Sequence, residues 1–385
     1  MQFEKEKSFI LDCLKAFVNG TAVSQARWEE LFLLSPNWDW MIRTAQAGRI
    51  LPFLIHVFKK EGYLTHLSKK DQMWLHSFLM RSEWENRTKM AEFKKVKHLF
   101  EKNSISFIPL KGIALTCLVY QKTPFRYMAD MDLLIKESDL GKARNLLLGD
   151  GFVLSEPKNR WQAKAMMKVI GRGNFVKANT DVDLQWCPKF FVDDEFLSWD
   201  CEGAWQRAKP FKRLGENVFM LSAVDQILYL SLQILNDIEI NVVYLVQLLD
   251  LALVIQKYQV SHDILSEKIA ALGPSAEKWL SAFFKMVGEC FFENKPNGGL
   301  SAKSAAFFEK FFESLLTPKP GFSVKEVLQS IQSPWERFLF VVGYFVPSQN
   351  VLRRKTYSGF FGKVVCYFDH WRKQCFSFLK ILLRQ

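Results

Sequence analysis

No apolar run in this sequence is both long and clean enough to cross a bilayer. The best stretch, Ile238 to Ile255, is interrupted by Asn241, Gln247 and Asp250, which excludes a spanning helix there. The opening residues, Met-Gln-Phe-Glu-Lys-Glu-Lys, carry acid and lack the compact apolar region and small-residue cleavage site of a secretory signal. Cysteine is sparse: seven residues, Cys13, Cys117, Cys187, Cys201, Cys290, Cys366 and Cys375, with no Cys-x-x-Cys pair. An odd, dispersed set argues against a disulfide framework and against a cysteine zinc site, so a reducing cytoplasm is the expected compartment. The six histidines (His56, His66, His76, His98, His262 and His370) form no His-x-x-x-His pair and avoid the central strands, leaving zinc or histidine-base chemistry without support. There is neither a Walker-type Gly-Lys-Ser/Thr loop nor a Gly-x-Ser-x-Gly elbow.

What the chain does have is core-forming material and positive charge. Of 385 residues, 49% are hydrophobic and 24% charged, which suits two or three folded domains and excludes general disorder. Phenylalanine is abundant, at 35, beside 12 tryptophans, and most of these must pack between helices. The net charge of +12 is uneven: the last 35 residues carry eight basic side chains against Asp369 alone. Such a tail points to an anionic partner, whether nucleic acid, nucleotide or membrane surface, or is simply a solvated face. At 100° per residue, Val364, Phe368, Trp371, Cys375, Phe378 and Leu382 share one helix face, with Lys373, Lys380 and Arg384 roughly opposite. Residues 359–385 therefore read either as an interfacial helix on an anionic membrane, peripheral to its inner face, or as a helix packed on the domain.

The pattern divides the chain into four regions. Residues 1–102 read as an N-terminal helical region, with apolar positions three and four apart (Ile10, Leu14, Phe17; Ile50, Phe53, Leu54, Phe58). Lys69 to Lys102 reads as one or two extended amphipathic helices. Residues 103–190 form a small α/β core. In it, Ser104 to Leu110 is a strand running into a Lys111-Gly112 turn, Ile113 to Tyr120 a helix, and Met128 to Lys136 a second strand. Ser138 is placed to cap the next helix, Asp139 to Leu148. Asn174 to Trp186 reads as a further strand, and Gly171-Arg172-Gly173 as a loop whose arginine either touches phosphate or does not. Residues 191–316 return to helix: Ser222-x-x-Asp225 has the form of a capping box before Ile227 to Leu235, and Val242 to Tyr258 follows. Residues 317–385 are a basic C-terminal helical segment beyond the linker Thr317-Pro318-Lys319-Pro320-Gly321. The expected fold class is α+β, a small mixed sheet flanked by helical regions.

Asp130-Met131-Asp132 lies in a predicted strand, so its two carboxylates point to one face. Placing both within an apolar run is costly unless a cation sits between them, and Mg²⁺, which prefers oxygen ligands and substrate phosphates, is the natural occupant. Asp183 is the best third carboxylate, alternating with Val182 and Leu184; Asp181 shares its face and competes with it. Lys111 offsets triphosphate charge, and Gly112 lets backbone amides approach a phosphate. Arg126, four residues before Asp130, either binds phosphate or pairs with acids.

These residues carry a resemblance. Ile108-Pro109-Leu110-Lys111-Gly112-Ile113-Ala114-Leu115, then Tyr120, Arg126, Asp130-Met131-Asp132-Leu133-Leu134-Ile135 and Gly149-Asp150-Gly151-Phe152 resemble a bacterial family of uncharacterised nucleotidyltransferases. That family belongs to the polymerase-beta-like nucleotidyltransferase superfamily. Asp183-Leu184-Gln185-Trp186 falls where the family has Asp-hydrophobic-His-Trp, and Trp40 with Ala45 to Pro52 and Tyr344 to Ser348 look like its flanks. Two departures stand out: Lys-Gly replaces the superfamily's Gly-Ser or Gly-Gly turn, as in the family itself, and Gln185 replaces the family's His. The resemblance implies Mg²⁺ or Mn²⁺ on Asp130, Asp132 and Asp183, with Lys111 and Gly112 near the triphosphate of an NTP donor.

The expected activity is transfer of an NMP from an NTP to an unidentified acceptor, a small molecule, saccharide, protein or RNA, by a two-metal mechanism. Asp130 and Asp132 hold both metals, while Asp183 completes one site and helps deprotonate the acceptor. The alternative is a weakened nucleotidyltransferase-fold scaffold on an anionic partner or membrane surface. A third reading is template-independent action on RNA ends.

Overall fold

In the computed structural model the described residues are 3–33, 35–120, 125–155, 170–178, 180–192, 195–239 and 242–292, with Met167, Ser301, Ser304 and Arg337. The Thr317-to-Gly321 linker, the basic C-terminal segment and its membrane-facing stripe lie outside them. No helix among the described residues is long and apolar enough to cross a membrane.

The N-terminal region is helical, as its periodicity predicts: α1 (Glu4–Val18), α2 (Gln25–Leu33), α3 (Trp38–Ala47) and α4 (Leu51–Lys60). Asn37 caps α3 by accepting from the Trp40 amide at 2.9 Å. The phenylalanine excess is spent here. Trp28 stacks on Tyr63 with ring centroids 3.9 Å apart, and Phe9 and Phe58 meet it edge-on at 4.7 and 4.9 Å. A single helix, α5 (Lys69–Lys102), spans 34 residues and is capped by the Ser68 hydroxyl. Most of α5 faces solvent; Phe93, Val96 and Phe100 are the side chains it buries against the sheet.

The sheet is mixed and five-stranded. Its strands are β1 (Phe107–Pro109), β2 (Met131–Ile135), β3 (Val153–Leu154), β4 (Arg172–Lys177) and β5 (Thr180–Gln185), in the order β1-β2-β5-β4-β3. Only β2 and β5 run parallel. Between these strands lie α6 (Lys111–Leu118) and α7 (Leu140–Gly149). The expected strand from Asn174 to Trp186 is a hairpin: β4 and β5 pair antiparallel from Arg172↔Gln185 to Lys177↔Thr180. The turn passes through Ala178 at φ +50, so no glycine advertises it. Lys111 and Gly112 open α6 instead of ending in a turn. Ser138 does not cap α7, which is preceded by a 3-10 turn over Glu137–Asp139.

Two short hairpins follow, β6 (Lys189–Val192) with β7 (Glu195–Ser198), and β8 (Lys209–Pro210) with β9 (Phe219–Met220). The helices α8 (Cys201–Arg207), α9 (Ala223–Glu239), α10 (Leu245–Tyr258), α11 (His262–Ala270) and α12 (Pro274–Phe291) complete the described chain. Ser222 caps α9 as expected, its Oγ accepting from the Asp225 amide at 3.2 Å, but the box does not close on the backbone: the Asp225 carboxylate accepts from the Ser222 hydroxyl and from Arg207 instead. Helices α1–α4 share one apolar cluster with α9–α12, while α5, α7 and one sheet face form another. The sheet lies between the two clusters. Met131, Leu133 and Ile135 of β2, with Val182 and Leu184 of β5, belong to the α5/α7 side. By alternation, Asp132, Asp183 and Gln185 therefore point to the opposite face, toward α9.

Candidate active site

Parallel pairing puts Asp132 of β2 directly opposite Asp183 of β5, with Met131↔Val182 and Leu133↔Leu184 on either side. The register follows from the apolar residues, since a slip of one position would turn the acids into the α5/α7 core. The strand begins at Met131, so Asp130 stands immediately before it, half-buried, and Asp132 is 2% exposed.

Gln185 joins the two strands chemically. Its Nε2 donates to Asp183 Oδ2 at 2.9 Å and to Asp132 Oδ1 at 3.2 Å. Its Oε1 accepts from the Tyr229 hydroxyl of α9 at 2.9 Å. Lys111 completes the cluster, its Nζ donating to Asp132 Oδ1 at 2.6 Å. The Lys111 backbone is left-handed, with φ +44, a conformation that costs a non-glycine residue about 1–2 kcal/mol. The Leu110 amide donates to the Asp132 carbonyl at 2.8 Å, which pins the start of α6 to the carboxylate strand.

The electrostatics reflect crowded acids in a dry place. Burial raises the Asp132 pKa to about 8; Lys111 opposes the rise, and Asp130 and Asp183 add to it. For Lys111 burial works downward, but Asp132, Tyr229, Asp130 and Asp183 outweigh it and hold the ammonium well above its ordinary value. The two shifts describe one pair. The better-fixed member is Lys111, which is cationic throughout, so Asp132 is the group whose charge is in question. Arg172 faces the same cluster: burial lowers its pKa, but Asp183, Asp237, Tyr229 and Asp132 carry it above the usual guanidinium value. Read from sequence as a loop residue, Arg172 is the first residue of β4, opposite Gln185. Asp237, two turns beyond Tyr229 on α9, is likewise raised by burial, and it is held by amides from Gln233, Asn236 and Gln247 at 2.6, 3.0 and 2.6 Å.

Sequence reasoning missed Tyr229 and Asp237, whose only local signal was two polar residues inside an apolar helix. Asp181, two residues before Asp183 on β5, also faces away from the α5/α7 core, but it lies beyond the last β2–β5 pair, Met131↔Val182. Arg126, expected either at phosphate or paired with acids, is buried in a different cluster. Its Nε donates to both carboxylate oxygens of Asp250 at 2.9 and 3.0 Å and its Nη2 to Oδ2 at 2.8 Å, while the Tyr120 hydroxyl donates to Asp250 at 2.8 Å. Asn86 grips the same segment, donating to the Arg126 carbonyl and accepting from the Met128 amide, each at 3.0 Å. Arg126 thereby fixes the chain that leads into Asp130.

Among the described residues, no group of three or more His, Cys, Asp and Glu side chains stands close enough together to hold a metal ion unaided. The donors nevertheless fit a hard divalent cation. Asp132 and Asp183 already converge on one carboxamide nitrogen, that of Gln185, and carboxylate oxygens are the ligands such a cation takes.

A family described as uncharacterised nucleotidyltransferase matches residues 35–291, more than half of the chain. No curated protein and no solved structure matches it. The matched span runs from α3 through the sheet to the end of α12 and takes in every residue of the cluster described above. The chain therefore belongs to the family of uncharacterised nucleotidyltransferases.

Proposed function

We propose that the chain moves an NMP from an NTP to an acceptor hydroxyl or phosphate, using a divalent cation, Mg²⁺ or Mn²⁺, held by Asp130, Asp132 and Asp183. The observation that carries this reading is the register match of Asp132 with Asp183, two carboxylates meeting at one amide. In the reaction an acceptor oxygen attacks the α-phosphorus, the bond to the β-phosphate oxygen breaks, and pyrophosphate leaves. The bound cation supplies charge neutralisation of the phosphates. Lys111 and Arg172 add fixed positive charge beside the carboxylates, and burial makes that charge count. Asp183, more exposed than Asp132, is the group placed to accept the acceptor's proton. Gly112 opens α6 beside Lys111 and is the position for backbone contact with phosphate. Arg126 acts through Asp250 as a positioning residue.

A second reading draws on the same cluster. Asp132, Asp183, Gln185, Tyr229 and Lys111 already satisfy one another, and Gln185 stands where the family has His. Such self-sufficiency suits a scaffold that keeps the fold and binds an anionic partner without turnover. Thermal unfolding with each NTP and Mg²⁺ or Mn²⁺ separates the two. Enzymatic use of the site requires a cation-dependent NTP shift that Asp132→Asn abolishes while remaining folded. The absence of any NTP shift in the unaltered chain sinks the enzymatic reading and leaves the scaffold.

A further inference from the structure

A polar cavity lies against the segment that leads into Asp130. It has a volume of about 350 Å³ and is walled by the end of α3, the start of α4, the middle of α5 and the segment before Asp130. That size suits a small organic molecule. Its lining includes Arg49, Arg81, Ser82, Glu85, Phe78 and Tyr127. Neither arginine has a carboxylate partner among the described residues. The Arg49 guanidinium carbon lies over the Tyr244 ring, 3.7 Å from its centroid, and 5.9 Å from that of Tyr127. A cation–π contact of this kind uses a face of the guanidinium and leaves N–H groups to donate. Ser82 is 2% exposed, yet its hydroxyl has no hydrogen-bond partner among the described residues, a costly condition for a buried polar group unless a ligand or water meets it. Tyr127 links the cavity to the acids by position, standing in its wall three residues before Asp130; burial and Glu85 raise its phenol pKa, Arg49 lowers it, and Asp130 adds a smaller rise.

We propose that this cavity takes the oxyanion of a small acceptor substrate, a phosphate or carboxylate gripped by Arg49 and Arg81, with the acceptor hydroxyl presented toward Asp130. Two guanidinium forks match the planar spacing of oxyanion oxygens. The Ser82 hydroxyl supplies a third donor. Phe78 and Tyr127 cover the acceptor's apolar body, and Glu85 accepts from a further hydroxyl. The inference rests on the nucleotidyl-transfer reading above, because it assigns the acceptor side of that site.

The test is equilibrium dialysis of the full chain against radiolabelled inorganic phosphate, with acetate as the carboxylate probe in a parallel titration. The expected result is saturable binding, weakened about tenfold or more in Arg81→Gln and in Arg49→Gln and unchanged in Asp132→Asn. Arg81 is exposed, so Arg81→Gln folds as the unaltered chain does, and Ser82→Ala gives a second variant with a smaller loss. The stronger of the two probes identifies the oxyanion. The proposal falls if phosphate and acetate both fail to saturate, or if Arg81→Gln binds as well as the unaltered chain. It falls also if a non-hydrolysable NTP analogue displaces the Arg81-dependent phosphate, because the oxyanion is then the nucleotide's own. NTP binding lost in Asp132→Asn, without oxyanion binding at Arg81, ends this inference alone. Oxyanion binding at Arg81 with no NTP bound by the unaltered chain ends the reading of the active site instead.

Discussion

Gln185 accepts from the Tyr229 hydroxyl at 2.9 Å, and the same side chain donates to both Asp132 and Asp183. The carboxamide is therefore oriented from α9: the phenol holds its oxygen, so its nitrogen must face the acids. A histidine in this place donates through one ring nitrogen and accepts through the other, which is the same division of labour. Gln185→Leu strands a buried phenol and removes the donor between the two carboxylates, leaving Asp132 with Lys111 and Asp183 without its carboxamide partner. The expected loss is about 1–3 kcal/mol of stability by urea unfolding. Tyr229→Phe alone costs less. In the double variant, Tyr229→Phe adds almost nothing to Gln185→Leu, because the phenol has already lost its partner. Additive losses would show that the two side chains do not act together.

Asp132 controls how the cluster responds to pH. Its pKa stands near 8 through burial, eased by Lys111 and worsened by Asp130 and Asp183. A raised carboxylate pKa means that below pH 8 a proton competes with any cation for the same oxygens. Affinity for Mn²⁺, followed by the paramagnetic signal of the free ion, is expected to climb as pH rises through about 8 and to level off above it. Above pH 8 Asp132 is ionised and the competition is over. In Asp132→Asn the climb disappears. A flat profile between pH 6 and 9 in the unaltered chain would remove Asp132 from the ligand set.

Much of this was legible in the sequence, and the failures share a cause. Alternation alone put Asp132 and Asp183 on one face, since Met131, Leu133, Val182 and Leu184 demand the other. The turn between β4 and β5 was hidden because Ala178 takes the left-handed conformation without glycine or proline to mark it. Gly171-Arg172-Gly173 read as a loop, although its glycines serve close packing: a Cβ on Gly173 would stand 2.7 Å from the Met167 methyl. The polar residues that break the Ile238 to Ile255 run told a truth that only tertiary structure explains. Gln247 donates to Asp237, and Asp250 is the counter-ion of Arg126. Pairings such as Tyr229 with Gln185, 44 positions apart, leave no local periodicity to find.

Arg126 and Asp250 give a sharp test of positioning against ligand binding. Both are buried, and each is the other's charge partner. Arg126→Met leaves Asp250 with only the Tyr120 hydroxyl, and removing one member of a buried pair costs about 3–5 kcal/mol. Replacing both, Arg126→Met with Asp250→Leu, is expected to restore much of that loss in urea unfolding, because no uncompensated charge remains. The restored protein should also recover NTP binding. If the double variant is stable yet binds no NTP, Arg126 contacts the nucleotide directly and its role as a positioning residue is wrong.

Gly171 tests whether the edge of the site tolerates any expansion. Its φ is +64, and its carbonyl accepts from the Trp186 amide at 3.0 Å and the Cys187 amide at 3.3 Å, closing the end of the β4–β5 pair. A Cβ built there would lie 1.7 Å from the Cys187 carbonyl oxygen, which is backbone and cannot swing aside. Gly171→Ala thus combines left-handed strain with a main-chain clash, and the β4–β5 pair must open to admit one methyl group. The expected loss exceeds about 3 kcal/mol, large for a single substitution, and it should fall on Arg172 and Gln185 together since both lie at the end that opens. Amide hydrogen exchange locates the damage: Trp186 and Cys187 should lose protection while the amides of α1 keep theirs. Full protection at Trp186 in Gly171→Ala would mean that the hairpin end is free to adjust, and the rigidity assigned to this side of the site would go with it.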